Sequence, residues 1–271
     1  MQFNIGILGS LVYIYSGIKA SRTKESTIGS VTKEEKPERR VYRQAQVRSL
    51  FDSIAHRYDF LNHKLSSGID ILWRKRIIRQ LQKLHPRRIL DVATGTADLA
   101  IEAAKLNPEQ VIGIDISIKM LEIAQTKILK KNLAKIITLE PGAAEHLRFE
   151  SDSFDIVMTA FGVRNFEDLA LGLREFRRVL RSGGTAMILE FSKPRRSPMK
   201  QLYRIYSRFF IPLLGALIAK NRSAYEYLPS TINEFPDGEE FCQMLINAGF
   251  SSADCYPQTF GIASIYRAVK T

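Results

Sequence analysis

The stretch that most constrains this chain is Ile89-Leu90-Asp91-Val92-Ala93-Thr94-Gly95-Thr96-Ala97-Asp98. An apolar run ends in an acid, and a short turn built on Thr94, Gly95 and Thr96 follows. A helical pattern then begins, with Leu99, Ala100, Ala103 and Leu106 on one face. Strand, tight turn and helix in that order make the first unit of a nucleotide-binding α/β fold. Gly95 adds no Cβ where backbone N–H groups must come close to a ligand. A second apolar run, Val111-Ile112-Gly113-Ile114-Asp115, ends in an acid 20 residues after Gly95. An acid at that place is set to accept hydrogen bonds from both ribose hydroxyls of an adenosine.

The turn discriminates between candidate cofactors. A dinucleotide site uses three glycines spaced G-x-G-x-x-G to admit a pyrophosphate. Here Gly95 stands between two threonines, and Asp98 follows. An acid just past the turn opposes a pyrophosphate and suits the sulfonium and α-ammonium of S-adenosyl-L-methionine (AdoMet). The same pattern also occurs as an ordinary βα turn that binds nothing.

The chain has 271 residues, 45% hydrophobic and 25% charged, enough for one large α/β domain with extensions. Cys242 and Cys255 are too few for a disulfide framework and lack metal-ligand spacing, and the four histidines form no cluster. No metal is expected, and a reducing cytoplasmic compartment fits. The net charge of +12 points to solubility, an anionic membrane surface or a nucleic acid, depending on where the charge sits.

Residues 3–18 are apolar and uncharged, with Lys19, Arg22 and Lys24 behind them. That is short of the roughly 20 residues that cross a bilayer, and it lacks the basic start and cleavage site of a signal peptide. It reads as a marginal anchor or as sequence ahead of the true start, with a non-essential extension favoured. Residues 19–48 read as a disordered linker, so that residues 1–46 together precede the domain. Order is expected from Val47, where Val47, Leu50, Phe51, Ile54 and Ala55 fall at helical spacing. His56 to His63 interleave polar groups with aromatics, as a helix lying across the domain or a lid over a cleft would. Residues 69–84 read as an amphipathic helix, with Ile69, Leu72, Trp73, Ile77, Leu81 and Leu84 inward and Arg74, Lys75, Arg79 and Lys83 outward. The single domain is placed at 47–271, with 47–86 as N-terminal helices.

Strands are expected at 88–92, 111–115, 136–140, 155–160, 185–191, 253–257 and 262–269, with helices at 98–106, 118–131, 167–181 and 238–248. Ser117 is an N-cap candidate, and Gly183-Gly184 a stop signal for the 167–181 helix. This pattern predicts a doubly wound, mainly parallel, seven-stranded α/β sheet. A turn at Thr259-Phe260-Gly261 brings back one antiparallel strand. Between the fifth strand and the last helix lies a helical insertion, 193–236. Residues 193–222 hold eight Lys or Arg and no Asp or Glu. Arg196, Lys200, Arg204 and Arg208 recur at helical spacing beside Met199, Leu202, Tyr203, Tyr206 and Phe210, with an apolar run at 211–218. Such a segment reads as an interfacial element or as a core-packed helix with a solvated basic face.

These residues carry a resemblance. Phe51-Asp52-Ser53-Ile54-Ala55-His56-Arg57-Tyr58-Asp59 with Asn62, and Trp73-Arg74, resemble the entry motifs of the ubiquinone/menaquinone biosynthesis C-methyltransferases. Phe161-Gly162-Val163-Arg164-Asn165 is similar to that family's Gly-hydrophobic-Arg-Asn signature. Arg178 to Gly184 with Leu189 to Pro194 resembles its fifth-strand block. Tyr227 to Ile232, Phe235-Pro236, Ala248-Gly249-Phe250 and Gly261-Ile262-Ala263 match later segments. The likeness runs in order over about 47–271. It implies a Rossmann-like class I methyltransferase that moves a methyl from AdoMet to a ring carbon of a demethylated, prenylated quinol. The substrate would be demethylmenaquinol, a ubiquinone-pathway benzoquinol or both.

With Asp91, Gly95 and Asp98 of the turn, the resemblance carries cofactor contacts to Thr96, Asp115, Ala143, Ala144 and Ala160. Departures are plain: the family commonly has glycines where Thr94 and Ala97 stand, an Asn or Asp where Ala143 stands, and a Ser at Ala160. Arg164, just past the fourth strand, is the expected cation beside a quinol phenolate, or else a salt bridge at a helix start. Tyr58, Asp59 and His63 are base candidates. The expected partners are the quinol and a peripheral contact with the inner face of the cytoplasmic membrane, without nucleic acid; a homodimer is left open. The rivals are an AdoMet-dependent methyltransferase acting on RNA or another small molecule, an NAD-dependent oxidoreductase, and a catalytically silent scaffold.

Overall fold

The computed structural model describes residues 44–66, 68–195, 197–198, 200–201 and 231–271. All belong to one unit, Arg39–Thr271. The apolar segment 3–18, linker residues 19–43 and most of the 193–236 insertion, with Arg196, Arg204 and Arg208, lie outside the described residues, whereas 44–48, expected as linker, are helical.

Helix α1 (Gln44–Leu65) and α2 (Ile69–Leu81) come first. The alternating core follows as β1 (Arg88–Val92), α3 (Asp98–Ala103), β2 (Gln110–Asp115), α4 (Ile118–Lys130), β3 (Ile137–Pro141), β4 (Phe154–Ala160), α5 (Leu169–Val179) and β5 (Leu180–Phe191). After the insertion come α6 (Glu239–Asn247), β6 (Ser252–Gln258) and β7 (Ala263–Val269). The described strands form one seven-stranded sheet in the order β3-β2-β1-β4-β5-β7-β6. β7 runs antiparallel to both its neighbours, as the Thr259-Phe260-Gly261 turn requires.

The central strands are continuous apolar runs because helices cover both faces of the sheet. Leu90, Val92, Val157, Ala186 and Ile188 face one core with Leu173, Phe176 and Leu245. Ile89, Val111, Ile156, Met187 and Leu189 face the other with Trp73, Ile77, Ala100 and Ala124. Helix starts follow their caps: Ser117 accepts the Met120 N–H, and Asp168 accepts the Leu171 N–H.

Three local expectations are corrected. Gly183-Gly184 does not close α5. Gly183 takes φ +77 inside β5, and the β4 register jumps from Phe154 against Leu180 to Ile156 against Thr185. The pair makes a bulge, held by the Gly183 N–H to the Lys270 carbonyl at 2.7 Å. Leu72 and Leu84 are exposed rather than inward. Arg74 is buried rather than outward, because Asp70 one turn before it forms an ion pair with it.

Phe176 is fully buried and meets Phe166 edge-on at 5.9 Å. Phe176→Ala should lower unfolding free energy by about 3–5 kcal/mol, read from urea titration. A loss below about 1 kcal/mol would show that the site refills by collapse.

Candidate active site

The sheet order reverses between β1 and β4, and a cleft opens at the carboxyl ends of the parallel strands there, where such folds bind ligands. The space between its walls, open mouth included, is about 620 Å³. Val92, Ala93 and Gly95 line it from β1, Asp115, Ile116 and Met120 from β2 and α4, and Ala160, Phe161 and Gly162 from β4. Helix α1 closes one side with Gln44, Val47, Phe51 and Tyr58.

Asp115 ties the site together. Its Oδ2 accepts the Gly95 N–H at 2.8 Å, and its Oδ1 accepts the Ser117 N–H at 2.8 Å. One carboxylate thus joins the turn after β1 to the turn after β2. Gly95 holds φ +57, a conformation that costs other residues. Ala93 and Ala97 also take positive φ, so the position where the resemblance expects a glycine carries alanine in a glycine-like backbone. Burial raises the Asp115 carboxyl to about 6 despite those two donors. Asp91, at the end of β1, accepts the Thr94 hydroxyl at 2.6 Å, and burial raises it to about 7.

The structure divides the residues named from sequence. Tyr58, Gly95, Asp115, Ala144 and Ala160 line the cleft. Asp59, Thr96 and Asp98 instead join a charged network behind it. Lys127 Nζ reaches Asp59 at 2.9 Å and Thr96 at 3.2 Å, and forms an ion pair with Asp98. Thr96 donates to Asp59, and Arg74 lies 3.9 Å from Asp98. Asp91 and Ala143 are not among the lining side chains. His63 lies in α1, and its side chain is outside the described part.

Arg164 is buried, and its Nη1 donates to Glu190 at 2.6 Å and to the Phe161 carbonyl at 2.7 Å. Its guanidinium lies 5.4 Å from the Phe191 ring centre. The salt bridge at a helix start, one of its two expected roles, is therefore present. The pair fixes the Phe161–Asn165 segment, from which Phe161, Gly162 and Asn165 line the cleft.

Sequence reasoning missed four groups. Lys127 sits on a helix that looked merely amphipathic. Asp52 accepts the Ser117 hydroxyl and pins α1 to α4. Glu145 accepts from Gln44 Nε2 at 3.1 Å and from the Glu167 N–H at 2.8 Å. Glu190 was visible as an acid inside an apolar strand, which signals a buried partner.

The cleft fits AdoMet on its own terms: an acid at the end of β2 faces it, apolar Ile116, Met120 and Ala144 flank that acid, and Gly95 leaves the backbone open. Sheet order, switch-point cleft and placed acid define an AdoMet-dependent methyltransferase of the class I fold. A methyltransferase of that kind from Thermotoga maritima superposes with a TM-score of 0.57 at 18% identity, over 83% of this chain and 99% of its own. The ubiE/COQ5 methyltransferase family model matches residues 39–270, and the chain belongs to that family. The demethylmenaquinone methyltransferase of Bacteroides fragilis is 47% identical over 83% of this chain and 92% of its own length. The ubiquinone/menaquinone biosynthesis C-methyltransferase of Geotalea uraniireducens is 42% identical over 82% of this chain and 94% of its own.

Two predictions come from the buried charges. Arg164→Ala strands the Glu190 charge, so it should cost about 3–5 kcal/mol of stability, whereas Arg164→Met with Glu190→Gln should recover most of it; thermal melts decide. A double variant no more stable than Arg164→Ala would show that the pair is not the cause. For Asp91, a folded carboxyl raised from 3.8 to about 7 favours the protonated form on folding. That contribution is full below the unfolded value and is lost as pH rises through about 7. Relative to Asp91→Asn, the wild-type chain should lose stability across that window, by an amount on the order of 4 kcal/mol. Parallel pH profiles for the two proteins would contradict it.

Proposed function

We propose that this chain transfers the methyl group of AdoMet to a ring carbon of a demethylated quinol bearing a prenyl tail. Demethylmenaquinol is the substrate the reading favours, and the corresponding benzoquinol is a second of the same class. The observation that carries it is the 47% identity to the Bacteroides demethylmenaquinone methyltransferase over 92% of that protein, together with a cleft that fits the methyl donor. The name of the Geotalea relative supports the second substrate.

AdoMet supplies a methyl already activated by a sulfonium, so the protein has chiefly to align the ring carbon and exclude water. Alignment of this kind is worth up to about 7–11 kcal/mol of a barrier. Asp115 accepts the ribose hydroxyls with the lone pairs that Gly95 and Ser117 leave open. Ile116, Met120 and Ala144 wall an apolar slot for the purine. Phe51 and Tyr58 bring the aromatic side of α1 over the cleft, where their rings meet edge-on at 5.9 Å. The ring carbon becomes nucleophilic as a quinol hydroxyl gives up its proton. Of the two base candidates with described side chains, Tyr58 lines the cleft, while the Asp59 carboxylate is held by Lys127 and Thr96. Methyl transfer would leave the neutral thioether of the donor, and the proton of the methylated ring carbon would pass to solvent or to the base, which restores the aromatic ring. Arg164 and Glu190 act as a positioning pair for Phe161 and Asn165. A prenylated substrate resides in a bilayer, so peripheral docking at the inner face of the cytoplasmic membrane belongs to the same reading.

The test is incubation of the full chain with AdoMet and a short-tailed demethylated naphthoquinol, followed by mass spectrometry. A product heavier by one methylene unit supports the reading, and its absence with AdoMet still bound sinks it. Asp115→Ala should weaken AdoMet at least about tenfold, or roughly 1.4 kcal/mol. Because the ribose hydroxyls need the ionised carboxylate, wild-type affinity should fall as pH drops through about 6, and Asp115→Ala should lose that dependence. Titration calorimetry across pH reads both, and a flat wild-type profile would contradict the role.

A further inference from the structure

The rim of the cleft carries an apolar and basic surface that the methyl-transfer machinery does not use. The turn joining β6 to β7 stands at the carboxyl end of β5, because Ala263 pairs with Phe191, the last residue of that strand. β5 is parallel to β4, and β4 to β1, so this turn shares the edge of the sheet where the cleft opens.

At the turn Phe260 is 78% exposed and holds φ +58, a left-handed backbone unusual for a bulky residue. Tyr256 and Pro257 just before it are exposed too. The turn is fastened to α2: Trp73 Nε1 donates to Thr259 Oγ1 at 2.9 Å, and Arg76 Nη1 donates to Gln258 Oε1 at 2.7 Å. Next to Trp73 on that helix, Leu72 is 61% exposed. Trp73 in turn packs against Phe161 of the cleft wall, at 6.2 Å between ring centres.

Charge says what covers this surface. Every exposed charge on α2 is positive, namely Lys75, Arg76 and Arg79, since Asp70 and Arg74 are buried against each other. The one acid of the hairpin, Asp254, sits back along β6 opposite Arg267. A second copy meeting this patch about a two-fold axis would set the three cations against themselves. An anionic bilayer offers phosphates to the cations and an apolar interior to Phe260 and Leu72 together.

We infer that this rim, formed by the Leu72–Arg79 stripe of α2 and the β6–β7 turn, is a lipid-docking face. Phe260 and Leu72 enter the apolar layer, Lys75, Arg76 and Arg79 meet the headgroup phosphates, and the cleft faces the bilayer. Ser192 Oγ donates to the Gly261 carbonyl at 2.9 Å, so the insertion also leaves the core from this rim. The face lies outside that insertion and outside its basic stripe. Only what the docked cleft receives rests on the prenylated-quinol reading.

The experiment compares the full wild-type chain with a Leu72→Gln, Phe260→Asn double variant; Asn tolerates a left-handed backbone. Both are sedimented with phosphatidylglycerol/phosphatidylcholine vesicles, with circular dichroism melts to check the fold. The expected result is partitioning lower by at least about tenfold in the variant, with an unchanged melt. Methylation of a short-tailed quinol in solution should be unchanged, and methylation of a long-tailed quinol in vesicles should fall with partitioning. Equal partitioning of the two proteins overturns the inference. So does a wild-type chain that stays in the supernatant, or a variant that dissociates a dimer without changing partitioning. A wild-type chain that partitions through these residues yet methylates no quinol supports the docking face and removes the proposed substrate.

Discussion

One carboxylate sets the geometry on which the cleft depends. Asp115 receives N–H donors from Gly95 and Ser117, which belong to consecutive βα turns. The turns would otherwise be independent loops, each with orphan helix-start donors. Joined through Asp115, they hold a fixed floor between β1 and β2. The group sits in a nearly water-free place, and the cost shows as a carboxyl raised to about 6. Ligand hydroxyls arriving at the same oxygens add donors to an anion already paid for in fixed dipoles, which is how a preorganised site differs from an adaptable one.

A second layer of polar contacts lays α1 across that floor. Asp52 takes the Ser117 hydroxyl, Gln44 reaches Glu145, and Asp59 joins Thr96 and Lys127. Lys127 also holds Asp98, and Arg74 links Asp98 to Asp70. Charges from four helices therefore meet behind the cleft. They leave Phe51 and Tyr58 of α1 lining the cleft beside Gln44 and Val47.

Cleft and apolar rim share one edge of the sheet because parallel strands end together and β7 begins where β5 ends. Trp73 is the mechanical link: its indole meets Phe161 and Phe191 within the fold, and its N–H holds the β6–β7 turn.

The sequence by itself determined the order of elements, since apolar runs, caps and the single turn glycine act within a few residues of one another. All seven strands lie near their expected places, although β5 begins at Leu180, inside the stretch expected as helix, and Asp115 was legible as the acid ending the second. Glu190 was read only as part of the Leu189 to Pro194 block, because its partner Arg164 lies 26 residues away and only the β4–β5 pairing brings the two to 2.6 Å. Tertiary structure alone decided which polar residues face the cleft. Tyr58 and Asp59 are neighbours in one helix, yet Tyr58 lines the cleft and Asp59 is bound by Lys127, 68 residues on. The Gly183-Gly184 pair looked like a helix stop and became a strand bulge, since the bonds that fix it come from Lys270 at the far end of the chain. Local pattern fixes what forms; long-range charge pairing and strand register fix what each side chain meets.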